Sequence, residues 1–263
     1  MKPYIGITGF MSRDEVKWAW DMFKKTQLAL DYMLMVGVLA SIKTLYGHTN
    51  KWPNRYPTVE NISGIFIQDS GMLNLVHYNS KNTDMLFVQL MALTELIGPE
   101  LFNGFQLNIA WPNELEILAY KARYPDKKIV LQVGGDAFEM IENSPEKLVE
   151  RLMMYDVELI DCILLDLSGG KRKTLDPENL KNYLAAIDKE SGFHDMGVGV
   201  AGGLSCDTML LIKSLLKQVS YLSIDAEGKL RNENDHLDMG FIEGYIRKAA
   251  EIFRVNILRN RKI

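Results

Sequence analysis

The sequence predicts an α/β protein of the (β/α)8, or TIM-barrel, class on three observations. Eight short apolar runs alternate with helix-patterned segments. The runs are continuously apolar, as strands covered on both faces must be. The length of 263 residues is ordinary for eight such units. Residues 1–263 are therefore expected to form a single barrel domain.

The first strand, YIGITG (4–9), leads to Ser12 with Glu15 three residues on, a capping-box pattern that opens a helix over RDEVKWAWDMFKKTQLAL. The second, YMLMVGVLAS (32–41), runs into SIKTLYGHTNKWPNRYPT (41–58), which has little helical periodicity. Loops of that length are uncommon and often functional. Lys43, His48, Lys51 and Arg55 beside Tyr46, Trp52 and Tyr56 suit either a basic, aromatic lid over an anionic ligand or a decorated surface loop. The third strand, MLNLVHYN (72–79), brings His77 to its end. The fourth, GFQLNIAWP (104–112), carries Gln106 and Asn108 on one face, because strand side chains alternate. Asn113 then opens ELEILAYKARY, closed by Tyr124-Pro125. The fifth, KIVLQVGG (128–135), precedes Asp136, and Ser144-Pro145 starts the next helix with proline at its first position. The sixth, CILLDLSGG (162–170), is followed by a helix from Asp176-Pro177. After the seventh, MGVGVAGG (196–203), Ser205 precedes CDTMLLIKSLLKQ; after the eighth, YLSIDAEG (221–228), the last helix starts near His236.

A net charge of −4 argues against a general nucleic-acid binder, and the terminal LRNRKI reads as a solvated tail. Cys162 and Cys206 cannot build a disulfide framework and suit a reducing compartment. There is no signal-peptide pattern and no long uncharged apolar run, so a cytoplasmic protein without a membrane partner is expected. No HxH, HExxH or Cys–His cluster is present, so no metal is expected. GVGVAGG is a poor match to a dinucleotide fingerprint, and no cofactor is expected. Trp18, Trp20 and Phe23 suit either a buried helix face or a subunit contact in a homo-oligomer.

Barrels of this class carry their chemistry at the C-terminal ends of the strands. Asp166 ends an apolar strand, where a carboxylate costs free energy unless it has partners or work, and general acid–base catalysis is such work. Gly169 and Gly170 loosen the following loop, and Lys171, Arg172 and Lys173 give it charge. Gly202, Gly203 and Gly228 follow strands seven and eight, a frequent phosphate position, where glycine lets backbone N–H groups approach an anion. Asp225 and Asp136 could bind a sugar hydroxyl, act as a base or cap a helix, with capping favoured for Asp136. His77 reads as a hydrogen-bonded structural residue or a base, and either Asn108 or Gln106 as lining the mouth.

These stretches resemble the phosphoribosylanthranilate isomerase family of tryptophan biosynthesis. The matching stretches are PYIGIT (3–8), Asn54-Arg55-Tyr56-Pro57, Gln106-Leu107-Asn108, Leu164-Leu165-Asp166, Lys173-Thr174-Leu175-Asp176, Gly202-Gly203-Leu204 and Asp225-Ala226-Glu227-Gly228. The resemblance implies an Amadori rearrangement in a barrel. Asp166 would be the general acid, Arg55 would bind the anthranilate end, Asn108 and Asp225 would contact substrate, and the three glycines would hold phosphate. Two positions depart from the pattern. The family's basic cysteine aligns with Ile5, which cannot take a proton, leaving Asp136, His77 and Asp225 as candidate bases. Glu227 stands in the phosphate turn, where a carboxylate opposes an anion unless Lys229, Arg231 or Lys171 offsets it. The expectation is an isomerase or related enzyme acting on a phosphorylated sugar derivative. The alternative is a paralogue that binds a phosphosugar or other small anionic metabolite without that reaction.

Overall fold

A computed structural model of the chain describes residues 1–156, 158–168 and 174–260. Eight parallel strands close into a barrel in chain order. They are β1 (Tyr4–Thr8), β2 (Met33–Ser41), β3 (Met72–Asn79), β4 (Gly104–Leu107), β5 (Lys128–Val133), β6 (Cys162–Leu165), β7 (Gly197–Ala201) and β8 (Ser223–Ala226). Each falls inside the run read from the sequence. Closure pairs β8 with β1, setting Gly6 opposite Asp225.

The α-helices are α1 (Arg13–Lys24), α2 (Ile42–Leu45), α3 (Val59–Ile65), α4 (Leu86–Ile97), α5 (Glu114–Arg123), α6 (Gly135–Met140), α7 (Pro145–Leu152), α8 (Pro177–Asp188), α9 (Ile212–Leu215) and α10 (Met239–Asn260). The predicted start signals act through their side chains. Ser12 and Glu15 form the reciprocal capping box of α1. Asn113 accepts from the Leu115 N–H, Ser144 from Lys147, and Asp176 from Glu178 and Asn179.

Three helices differ from the sequence reading. The first stops at Lys24, and residues 27–30 form a separate 3-10 turn. There the Thr26 hydroxyl bonds the Phe23 carbonyl at 2.7 Å, closing the helix end locally. After Ser205 the expected long helix is a 3-10 turn, Met209–Leu211, followed by the single turn α9. Thr208 Oγ1 returns to the Gly203 carbonyl at 2.8 Å, so side chains rather than a helical ladder organise that approach. The last helix begins at Met239 instead of near His236, because Asp238 caps it through the Phe241 N–H at 3.0 Å.

Alternation along the strands gives the barrel interior a gradient of polarity. Tyr4, Met35, Leu73, Leu75, Val130, Cys162 and Leu164 fill its lower part as one apolar cluster. Further toward the mouth along β1, β3 and β5, and just past the end of β6, the inward positions turn polar: Thr8, His77, Gln132 and Asp166, all buried. Ile5 and Ile7 face the other way, into the layer between sheet and helices. The inward positions of β1 are therefore Tyr4, Gly6 and Thr8. Ile5 aligns with the family's cysteine by motif, but its side chain is on the far side of the strand from the mouth. A Cβ at Gly6 would lie 2.9 Å from Asp225 Oδ1, so glycine here leaves room for that carboxyl.

Candidate active site

The floor of the barrel mouth is a buried hydrogen-bonded chain. Asp166 Oδ1 accepts from the Ser168 backbone N–H at 3.0 Å and from its hydroxyl at 2.6 Å. Asp166 Oδ2 accepts from Gln132 Nε2 at 3.1 Å. That contact turns Gln132 Oε1 toward Gln106, whose Nε2 donates to it at 3.0 Å. Gln106 Nε2 also lies 3.1 Å from Asp225 Oδ2 and 3.2 Å from His77 Nδ1. Thr8 Oγ1 completes the chain, 3.0 Å from each Asp225 oxygen. Two carboxyl groups are thus joined through two amides whose orientations fix each other. Gln106 Nε2 has two hydrogens for the three groups in reach, so Gln132 Oε1, Asp225 Oδ2 and His77 Nδ1 share them. Gln106 Oε1 has no hydrogen-bond partner among the described residues.

Burial sets the protonation of two members. It pushes Asp225 up to about 7, against the opposing hydrogen bonds of Gln106 and Thr8. It pushes His77 down to about 4, with the charge of Asp166 pulling the other way. Near neutrality His77 is a neutral imidazole, while Asp225 lies close to its midpoint.

Above this floor lies a cleft of two adjoining lobes that share Arg55, His77, Gln132, Asp166 and Glu227. The larger lobe, about 310 Å³, is bounded by Trp52 and Tyr56 of the long loop, Asn79, Asn108 and Asp136. The smaller, about 90 Å³, is bounded by Ser168, Gly202, Gly203, Gly228 and Lys229, with Asp225 at its base. Gly202 and Gly203 both have positive φ, 102° and 64°, a backbone that favours glycine. A Cβ at Gly202 would come within 2.7 Å of Asp166 Oδ1. The structure therefore brings the predicted glycines, Asp166, Asp225, His77, Asn108, Asp136 and Arg55 to one cleft.

Several expectations change in detail. Gln106 is buried in the floor, whereas Asn108 lines the larger lobe. Asp136 does not cap α6. Gly134 holds that position without a side-chain bond, and Asp136 is exposed in the first turn, facing the larger lobe. Of the basic residues in 41–58, Arg55 lines the cleft; Lys43, His48 and Lys51 are exposed and outside its lining. The expected basic loop of Gly169, Gly170, Lys171, Arg172 and Lys173 lies outside the described residues.

Glu227 is absorbed by cations. Arg55 Nη1 contacts Glu227 Oε1 at 3.1 Å, and Arg55 Nε and Nη2 grip Asp235 at 2.6 and 2.5 Å. Arg231 Nε lies 3.4 Å from Glu227, a charge contact without hydrogen-bond alignment. The Asp235 hydrogen bond, supported by Glu227, holds the Arg55 guanidinium above its ordinary pKa. This cluster ties the loop after β2 to the loop after β8; Asn54 adds a bond to the Asn234 carbonyl at 3.0 Å.

Thr8, Gln132 and the Asp235 partner of Arg55 were not singled out from the sequence. For Thr8 and Gln132 an available signal was the one that flagged Asp166, a polar residue toward the mouth end of an otherwise apolar strand; Asp235 lies outside the strands and carries no such mark. Trp111 was missed as well. It has φ of 49°, an uncommon backbone for a bulky residue, and its indole N–H bonds the Ala137 carbonyl at 3.0 Å. That bond fastens the loop after β4 to α6, and both border the larger lobe. Among the described residues, no group of three or more His, Cys, Asp or Glu is placed to hold a metal ion, and no helix is long and apolar enough to cross a membrane.

No protein-family model matches the chain, and no curated protein matches it by sequence. Solved structures do match. Phosphoribosyl anthranilate isomerase from Thermus thermophilus has a TM-score of 0.63 at 12% identity, covering 94% of this chain and 98% of that one. N-(5′-phosphoribosyl)anthranilate isomerase from Pyrococcus furiosus gives 0.62 at 17% identity, over 95% and 100%. Triosephosphate isomerase from Bartonella henselae gives 0.55 at 10% identity, over 94% and 99%. At these identities the likeness is one of fold: the chain has the closed eight-stranded barrel of these isomerases, including those of the family its sequence resembles.

Proposed function

We propose that this protein is an isomerase of a phosphorylated sugar derivative, working by proton transfer through Asp166 and Asp225. The observation that carries this reading is the buried chain Asp166–Gln132–Gln106–Asp225 beneath a lobe rimmed by Gly202, Gly203 and Gly228. An aldose-to-ketose rearrangement needs one proton delivered to the ring oxygen and one removed from C2. The resemblance assigns delivery to Asp166, which leaves removal to Asp225. A carboxyl pushed up to about 7 is suited to that task, because a base near the working pH combines availability with driving force. His77, a neutral imidazole lining both lobes, serves as a hydrogen-bonding group toward the ligand. Glycine turns beside Lys229 supply an anion cradle, and the Arg55 and Arg231 contacts of Glu227 remove the objection to phosphate there.

The alternative, a phosphosugar-binding barrel without turnover, is favoured by one observation: β1 presents Thr8, a non-ionising residue, to the floor. One experiment separates the two. The protein is incubated in D2O with ribose 5-phosphate and with phosphoribosylanthranilate, and C2 exchange and product are followed by NMR. Turnover of at least one of the two is expected, slowed about 10²–10⁴-fold by Asp166→Asn or Asp225→Asn. Binding in a thermal-shift assay with no exchange above buffer would select the non-catalytic reading. Neither binding nor exchange would reject both.

A further inference from the structure

We infer that the end of the ligand opposite the phosphate is an uncharged, hydroxyl-bearing group, so that this cleft selects against a second anion. The inference rests on the phosphosugar reading above and narrows its substrate class.

Arg55 is the described cation lining the larger lobe. A guanidinium binds a carboxylate best through two parallel N–H groups. In Arg55 the Nε–Nη2 edge is occupied by the chain's own carboxylate, Asp235, at 2.6 and 2.5 Å. Nη1 is engaged by Glu227 at 3.1 Å. Arg231 supplies the second positive charge, 3.4 Å from Glu227, so two guanidinium groups and two carboxylates balance within the protein. A ligand carboxylate entering here would meet Glu227 and Asp235 behind Arg55, with the exposed carboxylate of Asp136 also in the lining.

The rest of the lobe offers a different chemistry. Asn79 and Asn108 present amides, Asp136 presents an acceptor, and Trp52 presents an indole on the border. Amides and a carboxylate bond hydroxyl groups in both directions, and an indole covers the C–H face of a polyol. Because excluding an anion requires a repulsive element as well as an attractive one, Asp235 and Glu227 are assigned as specificity determinants.

The test is calorimetry on the whole protein with three stable compounds. They are ribitol 5-phosphate, the same phosphate bearing a phenylamino group at C1, and that compound with an added o-carboxylate. The carboxylate is expected to weaken binding relative to the phenylamino compound, and ribitol 5-phosphate to bind at least as well as the carboxylated one. Asp235→Asn is expected to tighten the carboxylated compound by about tenfold relative to ribitol 5-phosphate. Circular dichroism confirms that the variant is folded, and the three-compound comparison on the unaltered protein decides the matter without it. Tighter binding of the carboxylated compound by about tenfold or more would overturn the inference, because Asp235 would then be a displaceable occupant of a true anion site. If none of the three binds, the phosphosugar reading fails and this inference falls with it.

Discussion

Replacing Asp225 with asparagine should remove the pH dependence of stability that this one group imposes. Its ordinary value of 3.8 rises to about 7 in the folded chain, because burial disfavours the charged form. Between those values the folded state holds a proton that the unfolded state has lost. Stability therefore falls as pH rises through that window. From about pH 5 to about pH 8 the proton linkage of a single such group removes roughly 2.5 kcal/mol. Asp225→Asn keeps the shape and an oxygen acceptor but cannot ionise. Urea unfolding of both proteins at the two pH values isolates the term, since every other titrating group is common to both. The variant should gain on the parent by roughly 2.5 kcal/mol on going to the higher pH. The gain runs in this direction because the parent alone must bury a charge. Neighbours modulate it: Glu227 and Asp166 raise the Asp225 value, while Gln106 and Thr8 lower it. A difference between the two proteins that stays constant within about 0.5 kcal/mol from the lower to the higher pH would refute the reasoning.

Other outcomes follow from the same geometry. His77, held down at about 4 by burial, should show no imidazole titration by NMR between about pH 5.5 and 8; a midpoint near the ordinary 6.5 would mean the ring is not sealed in the floor. Gly202→Ala should cost about 1–3 kcal/mol in denaturant unfolding and depress activity. The new methyl would meet a positive φ of 102° and the Asp166 carboxylate at 2.7 Å; a variant of parental stability would show that the turn can relax. Gly203→Asp should abolish the thermal shift produced by ribose 5-phosphate, because it puts a carboxylate into the glycine-lined lobe. An unaltered shift would place phosphate elsewhere.

Much of the architecture was legible because burial on both faces leaves a one-dimensional trace. KIVLQV and CILL read as strands from their own residues, and Ser12, Asn113, Ser144 and Asp176 announce helix starts through bonds made within three residues. What failed was also local in form but tertiary in cause. The stretch after Ser205 has the apolar content of a helix, yet Thr208 spends its hydroxyl on the Gly203 carbonyl. The motif alignment of Ile5 with a catalytic cysteine gave no sense of which way β1 is rotated. Closure of the barrel decides that, setting Gly6 against Asp225 and turning Ile5 toward the helices.

The candidate site divides in the same way. Asp166, Asp225, Arg55 and the paired glycines could be named from the chain, because a charged residue or a glycine at the end of an apolar run is anomalous on its own. Their pairing could not. Gln106 reaches Asp225 across 119 positions, Thr8 across 217, and Arg55 reaches Asp235 across 180. By itself the sequence determined the eightfold barrel and which strand ends bear polar groups, since both are set by periodicity and local bonding. Only the tertiary structure decided that two amides would join the carboxyls, that burial would carry Asp225 toward neutrality, and that Asp235 would neutralise Arg55. Those properties arise from distance and desolvation between groups far apart in the chain, which no local pattern records.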